Sequence, residues 1–165
     1  MVEVKVLSRR HGTQIALIDD EDQSEVMKHT YWLHPDGYAI SKCKGKNIRM
    51  HRLVMKVANS KVLIDHINLN KLDNRKCNLR VCTNSQNKMN CLKRQDNTSG
   101  YKGVWFKKTG KRIKRWVAEI RKDDKKINLG LFFTKEEAAN AYDIAAIKYF
   151  GEFANTNFPR EKYTK

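Results

Sequence analysis

The stretch IDHINLNKLDNRKCNLRVCTNSQN, residues 64–87, is the most informative segment for the fold of the N-terminal half of this chain. It places Asp65 beside His66 at the end of an apolar run and then continues through six asparagines. An isolated Asp-His pair is ordinary, because adjacent side chains of a strand point to opposite faces. Here Asn78 and Asn87 follow His66 by 12 and 21 residues. A strand–loop–strand–helix hairpin would bring Asp65, His66 and Asn87 into one small cleft.

The local pattern around this stretch favours such a hairpin. KVLIDHI (61–67) is a strand candidate, a long polar loop follows, and NLRVCT (78–83) is a second strand candidate. Thr83 followed by Gln86 matches a capping box, so TNSQNKMN (83–90) is predicted to begin a helix.

Together with MHRLVM at residues 50–55, this stretch resembles the HNH homing endonucleases of phages and mobile introns. The nuclease core of that family is the ββα-metal fold. The resemblance implies that His66 is the general base, that Asp65 and Asn87 are metal ligands, and that Asn78 braces the loop in the catalytic set. Asn87 stands where the family name has its last histidine, a variant that the family contains.

His51 and Arg52 belong to the same resemblance. For these two residues a phosphate contact and a structural contact remain alternatives.

The chemistry of these residue types agrees with the resemblance. Carboxylate and amide oxygens are hard ligands that suit Mg²⁺ or Mn²⁺ and are poor for zinc. A neutral imidazole can take a proton from an attacking water, which typically contributes ~10²–10⁴-fold to the rate. Neutral amides also add no negative charge that would repel DNA.

We do not expect structural zinc, because the four cysteines form no CxxC pair. They are Cys43, Cys77, Cys82 and Cys91.

The composition limits the class of protein. The chain has 165 residues, 40% hydrophobic, so it is expected to fold as one domain or two small ones. Its net charge of +16 predicts an anionic partner, such as nucleic acid, ribosomal RNA or an anionic membrane surface. No apolar run of about 18 residues exists to span a bilayer, and residues 1–12 contain no secretory apolar region. We therefore expect an intracellular protein without membrane association, in the cytoplasm of a bacterial phage host.

Residues 1–55 contain short strand patterns around one helix. VEVKVL and QIALID alternate as strands do, and DDEDQSEVMKH has the acidic start of a helix. GYAISKCKGKNIRMHRLVM (37–55) is predicted to form a hairpin that turns at Gly45. Residues 91–100 have the composition of a linker.

A separate module is predicted from residue 101 to about residue 160. YKGVWFKK, KRWVAEIRK and KKINLGLFF are three strand patterns, with turns at Thr109-Gly110 and Asp123-Asp124. Thr134 and Glu137 form a second capping box before an alanine-rich helix that ends at Gly151. The strand alternation predicts one apolar face for the helix and one cationic face that would fit the major groove of DNA.

This module resembles the APETALA-two, or plant ethylene-response-factor, DNA-binding domain. The resemblance rests on YKGVWFKK, WVAEIR and LGLFFTKEEAANAYDIAAIKYFGEFANTNF, and it implies a three-stranded antiparallel sheet in the major groove with one helix packed behind it. The positions it assigns to DNA contact are Lys102, Trp105, Lys107, Arg115, Glu119, Arg121, Lys126 and Asn128. Plant members carry arginine and tryptophan at two of these positions, where this chain has Trp105 and Asn128, so their base preference does not transfer.

The predicted fold class is α+β. A nuclease domain would span residues 1–90, with N-terminal strands in 1–55 and a ββα-metal core at about 50–90. A linker at 91–100 and a DNA-binding domain at 101–160 would follow, the latter a three-stranded antiparallel sheet packed on one α-helix.

The predicted function is site-specific, divalent-metal-dependent cleavage of double-stranded DNA. One catalytic set per chain predicts that a monomer nicks one strand. The alternatives are a non-catalytic DNA-binding regulator with a decayed nuclease core and a basic RNA-binding or ribosome-associated protein. The sequence does not show the sheet with stacking aromatic residues that sequence-specific RNA recognition would need.

Overall fold

The computed structural model describes residues 1–43, 45–108, 115–123 and 125–163. The chain divides into two compact units, Met1–Asn84 and Ser85–Lys165. This division lies after residue 84, whereas the nuclease domain is predicted from the sequence to end at residue 90. Both units mix strands and helices, as the predicted α+β class requires. No helix among the described residues is long and apolar enough to cross a membrane.

The first unit is built on a five-stranded sheet with the strand order β2-β1-β3-β4-β5. The strands are β1 (Val2–Leu7), β2 (Gln14–Ile18), β3 (Tyr31–Leu33), β4 (Ala39–Cys43) and β5 (Lys46–Arg49). Neighbouring strands are antiparallel except β1 and β3, which are parallel. The short helices α1 (Gln23–Val26) and α2 (Met50–Val54) contribute Val26, Met50 and Val54 to the core on one face.

Strand alternation explains the sheet. Val4 and Val6 of β1 are buried while Lys5 between them is exposed. The hairpin predicted at Gly45 is confirmed: β4 and β5 pair on either side of it, and Gly45 has a φ of +79° that favours glycine. Its second arm was predicted too long, because β5 ends at Arg49 and the chain continues as α2.

The stretch around Asp65 and His66 forms the predicted hairpin. Strands β6 (Leu63–His66) and β7 (Leu79–Cys82) are antiparallel, and Asp65 is paired with Arg80 across them. Helix α3 (Asn84–Met89) begins directly after Thr83, as the sequence predicts.

The loop between β6 and β7 runs along the edge of β2. Leu17 donates its backbone N–H to Leu72 O at 2.8 Å and accepts from Asn74 N at 2.8 Å. Leu17 and Asp73 form a parallel bridge. The loop is therefore held by the main sheet of this unit.

The second unit contains an antiparallel sheet of order β10-β9-β8 and one long helix. Its elements are β8 (Val104–Phe106), β9 (Trp116–Lys122), β10 (Lys125–Phe132) and α4 (Lys135–Phe150). Thr134 caps α4 by accepting a hydrogen bond from Glu137 N at 3.1 Å, and Gly151 follows the helix with a φ of +55°, so both predicted helix ends are confirmed. The predicted turn at Thr109-Gly110 lies outside the described residues, as does Asp124.

Helix α4 packs on the sheet through small residues. Ala138, Ala139 and Ala146 are almost completely buried, and Val104, Ala118 and Ile120 of the sheet are buried with them. Small side chains allow the helix to approach the sheet closely, so the core of this unit lies between α4 and the sheet.

Candidate functional site

His66 lies at the end of β6 and is only 4% exposed. Its Nε2 lies 3.3 Å from Oδ1 of Asn74, a side chain that is 1% exposed. The strand places His66 and the β6–β7 loop returns Asn74 to it, so the ring is held from two directions.

Two further rings surround His66, and we call Tyr38, His51 and His66 the aromatic cluster. The ring centroids of His51 and His66 are 5.2 Å apart with the planes nearly perpendicular. Tyr38 lies 5.1 Å from His51 and 5.8 Å from His66. The cluster joins β6 to α2 and to the residue just before β4.

Burial determines the protonation of both histidines. It is the main cause that lowers the pKa of His66 below its ordinary value, although Asn74 and Asp65 act in the opposite direction. Burial, followed by the proximity of His66, lowers the pKa of His51 to about 3. Both rings are therefore neutral at pH 7, the state in which an imidazole accepts a proton.

Asp65 is 4% exposed and forms an ion pair with Arg80. Arg80 Nε and Nη2 donate to Asp65 Oδ2 at 3.0 and 2.8 Å. The pairing of β6 with β7 sets these two residues opposite each other. A buried carboxylate next to His66 is thus held in one orientation by Arg80.

Asn78 braces the β6–β7 loop. Its Oδ1 accepts from Asn68 N at 2.9 Å, and its Nδ2 donates to Asp73 O at 2.8 Å. Asp73 in turn binds the Arg75 guanidinium through Nε and Nη2, both at 2.7 Å. These contacts support the bracing role that the family resemblance assigns to Asn78.

Asn87 lies on α3 and is exposed. It belongs to the second unit, whereas Asp65 and His66 belong to the first, so its part in a shared metal site stays a prediction. No three His, Cys, Asp or Glu side chains of the described residues are grouped to hold a metal. The carboxylate of Asp65 fits a hard divalent ion, and amide oxygen is the matching second donor type.

Arg52 and His51 differ in their surroundings. The Arg52 guanidinium donates to Val62 O at 2.9 Å and also to Asn59 O, so it supports the chain before β6. This geometry favours the structural alternative for Arg52. His51 is 3% exposed inside the aromatic cluster, where its ring packs against His66.

Two cations lie over Tyr38. The Arg49 guanidinium and the Lys71 ammonium each lie 4.7 Å from the centre of its ring. Asp36 binds both, through an ion pair with Arg49 at 3.2 Å and through its backbone oxygen to Lys71 Nζ at 2.6 Å. The sequence gives no signal for this group because its members are distant in the chain and share no motif.

Most of the predicted DNA-contacting residues of the second unit share one sheet face. Residues directly opposite in an antiparallel pair lie on the same side of a sheet. The pairs are Trp105–Val117, Glu119–Asn128 and Arg121–Lys126. Lys107 and Arg115 are exposed where β8 and β9 meet the undescribed residues 109–114.

This face is less uniformly cationic than the sequence suggests. Val117 lies on it but is 2% exposed, between Trp105 and Leu131 in the pairing. Lys126 Nζ lies 3.4 Å from Oε1 of Glu119. An apolar strip therefore lies beside the charged groups.

Lys102, the remaining predicted DNA-contacting residue, is only partly exposed. Its Nζ donates to Met89 O at 2.9 Å and to Cys91 O at 2.8 Å. The ammonium group therefore ties residues 89–91 to the start of the module.

Comparison with known proteins places the chain in a family. The family model for HNH endonucleases matches residues 49–89, which include β6, β7 and α3. An uncharacterised HNH endonuclease of Acanthamoeba polyphaga mimivirus is 31% identical over 162 residues, 95% of this chain and 81% of the relative. The chain belongs to the HNH endonuclease family, which indicates nuclease activity on DNA. Nucleases of this family typically use divalent metal ions.

The second unit has a different set of relatives. An AP2/ERF and B3 domain-containing protein of Oryza sativa is 45% identical over 62 residues, which are 38% of this chain and 16% of the relative. An AP2-like ethylene-responsive transcription factor of Arabidopsis thaliana is 53% identical over 51 residues, 30% of this chain and 10% of the relative. The likeness is confined to one domain, and it confirms an AP2-type DNA-binding domain at the C-terminal side.

Proposed function

We propose that this protein is a site-specific, divalent-metal-dependent DNA endonuclease with a ββα-metal core at about residues 50–90. The observation that carries the proposal is the buried pair of Asp65 and His66, with a neutral imidazole beside a fixed carboxylate. His66 accepts the proton of the attacking water, and Asn78 keeps the loop beside it in place. This assignment agrees with the family.

Asp65 and Asn87 are the proposed ligands of Mg²⁺ or Mn²⁺. When bound, such an ion neutralises charge on the scissile phosphate and stabilises the leaving 3′ oxygen. Arg80 holds the Asp65 carboxylate in position. Because an arginine cannot lose its proton, it also compensates the carboxylate charge when no metal is present.

DNA recognition is assigned to the second unit. The exposed residues of its sheet face would enter the major groove, and the cations would bind phosphates. They are Trp105, Lys107, Arg115, Arg121, Lys126 and Asn128, with Glu119 beside them. Lys102 has its ammonium on backbone carbonyls, so we assign it to the support of the module.

The test is incubation of the purified protein with phage-sized DNA, in Mg²⁺ and in EDTA. Discrete fragments or nicks in Mg²⁺ alone support the proposal. DNA binding without any cleavage over a range of divalent ions would favour the regulator with a decayed nuclease core.

We further propose that a monomer nicks one strand, because each chain carries one Asp65-His66 set. A supercoiled plasmid with one target site, sampled over time at two enzyme concentrations, distinguishes the possibilities. Open circles should form first, at a rate linear in enzyme. Linear product without an open-circle intermediate would show that two subunits act together.

A further inference from the structure

We propose that Asn74 is a positioning residue that fixes the tautomer of His66, leaving Nδ1 as the nitrogen that accepts a proton. The inference rests on the proposed nuclease function and adds a residue to it. Asn74 lies in the loop between β6 and β7 and is 1% exposed. Its side chain is therefore shielded from solvent, and its two polar atoms depend on protein partners.

The first step is the orientation of the Asn74 amide. Its Nδ2 donates to Leu72 O at 3.1 Å. A carbonyl oxygen accepts hydrogen bonds only, so the nitrogen of the amide must face Leu72. The other atom, Oδ1, then faces His66, and it too can only accept.

The second step concerns the imidazole. His66 Nε2 lies 3.3 Å from Asn74 Oδ1. Since the oxygen is an acceptor, Nε2 must carry the hydrogen. In a neutral imidazole one nitrogen is protonated and the other has the lone pair. A general base acts in its neutral form, so with the hydrogen on Nε2 the lone pair lies on Nδ1, which is the basic atom.

The third step explains why Asn74 stays in place. Its backbone N–H donates to Leu17 O at 2.8 Å on the edge of β2. The adjacent Asp73 forms the bridge to Leu17 and accepts a hydrogen bond from the Asn68 side chain at 2.8 Å. The five-stranded sheet of the first unit thus holds Asn74, and through Asn74 it helps to orient the His66 ring.

The tautomer can be observed directly in ¹⁵N-labelled full-length protein. Long-range ¹H–¹⁵N correlation spectra distinguish protonated from unprotonated ring nitrogens, and His66→Ala identifies the His66 signals. In the wild type we expect a protonated Nε2 and an unprotonated Nδ1. A wild-type His66 with its proton on Nδ1 would overturn the proposal.

Three variants separate positioning from a general structural effect. Asn74→Leu removes the acceptor, so the two His66 nitrogens should shift toward averaged values and single-turnover cleavage should fall ~10-fold or more, out of the ~10²–10⁴-fold of a general base. Asn74→Asp keeps an acceptor and should keep the Nε2–H form. Asn70→Ala is the matched control, since it loses a turn hydrogen bond to Leu72 N in the same loop and should change neither signal nor rate.

Retention of the Nε2–H form in Asn74→Leu would contradict the proposal. If Asn74→Leu does not fold, the spectra of the wild type and of Asn74→Asp still decide. The spectra need no DNA and no metal. A wild type that fails to cut DNA would therefore refute the nuclease proposal and leave the tautomer to be judged separately.

Discussion

Replacing Gly103 by alanine should damage the DNA-binding unit specifically. Gly103 directly precedes β8 and has a φ of +72°. A Cβ atom there would overlap the ring of Tyr142 on α4 and lie 2.7 Å from Glu119 O. Tyr142 is 5% exposed, so its ring has little room to move. The substitution would push β8, which carries Trp105, away from the helix.

The magnitude follows from comparison with Gly100. Gly100 has a similar φ of +84°, but a Cβ there has no neighbour within 4 Å. Both alanine variants incur the left-handed backbone cost of ~1–2 kcal/mol. Only Gly103→Ala adds overpacking, typically another ~1–3 kcal/mol. The two variants should therefore differ in stability by about 1–3 kcal/mol.

Hydrogen exchange of the α4 amides under native conditions measures this difference in the full chain. Gly103→Ala should lower the protection of residues 135–150 and weaken DNA binding, while Gly100→Ala remains closer to the wild type. The protection of β1 and β2 in the first unit serves as the internal reference. Equal protection of α4 in both variants would refute the packing argument.

Three further outcomes are expected. Asp143 is fully buried and accepts hydrogen bonds from Asn157 N at 2.7 Å and Phe158 N at 2.9 Å. Asp143→Ala leaves both donors without that partner, which costs roughly 1–3 kcal/mol for each. Limited proteolysis should therefore cut residues 154–163 faster in this variant. Because burial lowers the pKa of His66, the acid limb of a pH profile of single-turnover cleavage should lie below pH 6.5; a midpoint above 6.5 would contradict the neutral-base assignment. The pKa of His51 is about 3 in the folded state. Between pH 6.5 and 3 the unfolded chain therefore binds a proton on His51 that the folded chain does not, so the free energy of unfolding falls as the pH drops through this window. Urea unfolding should show a weaker pH dependence for His51→Phe.

The sequence predicts the elements whose signals are local. The β6–β7 hairpin follows from apolar runs around a polar loop, and α4 follows from a capping box at Thr134 and a glycine at its end. The five-residue helix α2 was missed because it is too short to show a helical period. In β10 the pairing shifts between Asn128 and Gly130. A glycine inside a strand pattern is a known sign of a bulge, so this shift could have been predicted from Gly130.

The surroundings of His66 could not be predicted in the same way. Tyr38 and His51 reach it from other elements, and their separation along the chain leaves no periodic trace. Arg80 is different, because it belongs to the same hairpin and lies opposite Asp65 in the β6–β7 register. The motif indicates the candidate catalytic residues, while the tertiary contacts determine their orientation and their degree of burial.

The central claim is that His66 performs the chemistry and the second unit supplies the affinity. The most direct measurement compares wild type with His66→Ala for DNA affinity and for cleavage in Mg²⁺, each with an EDTA control. We predict affinity within a few-fold of the wild type, loss of most cleavage, and no cleavage by either protein in EDTA. Cleavage by His66→Ala at the wild-type rate in Mg²⁺ would contradict the account.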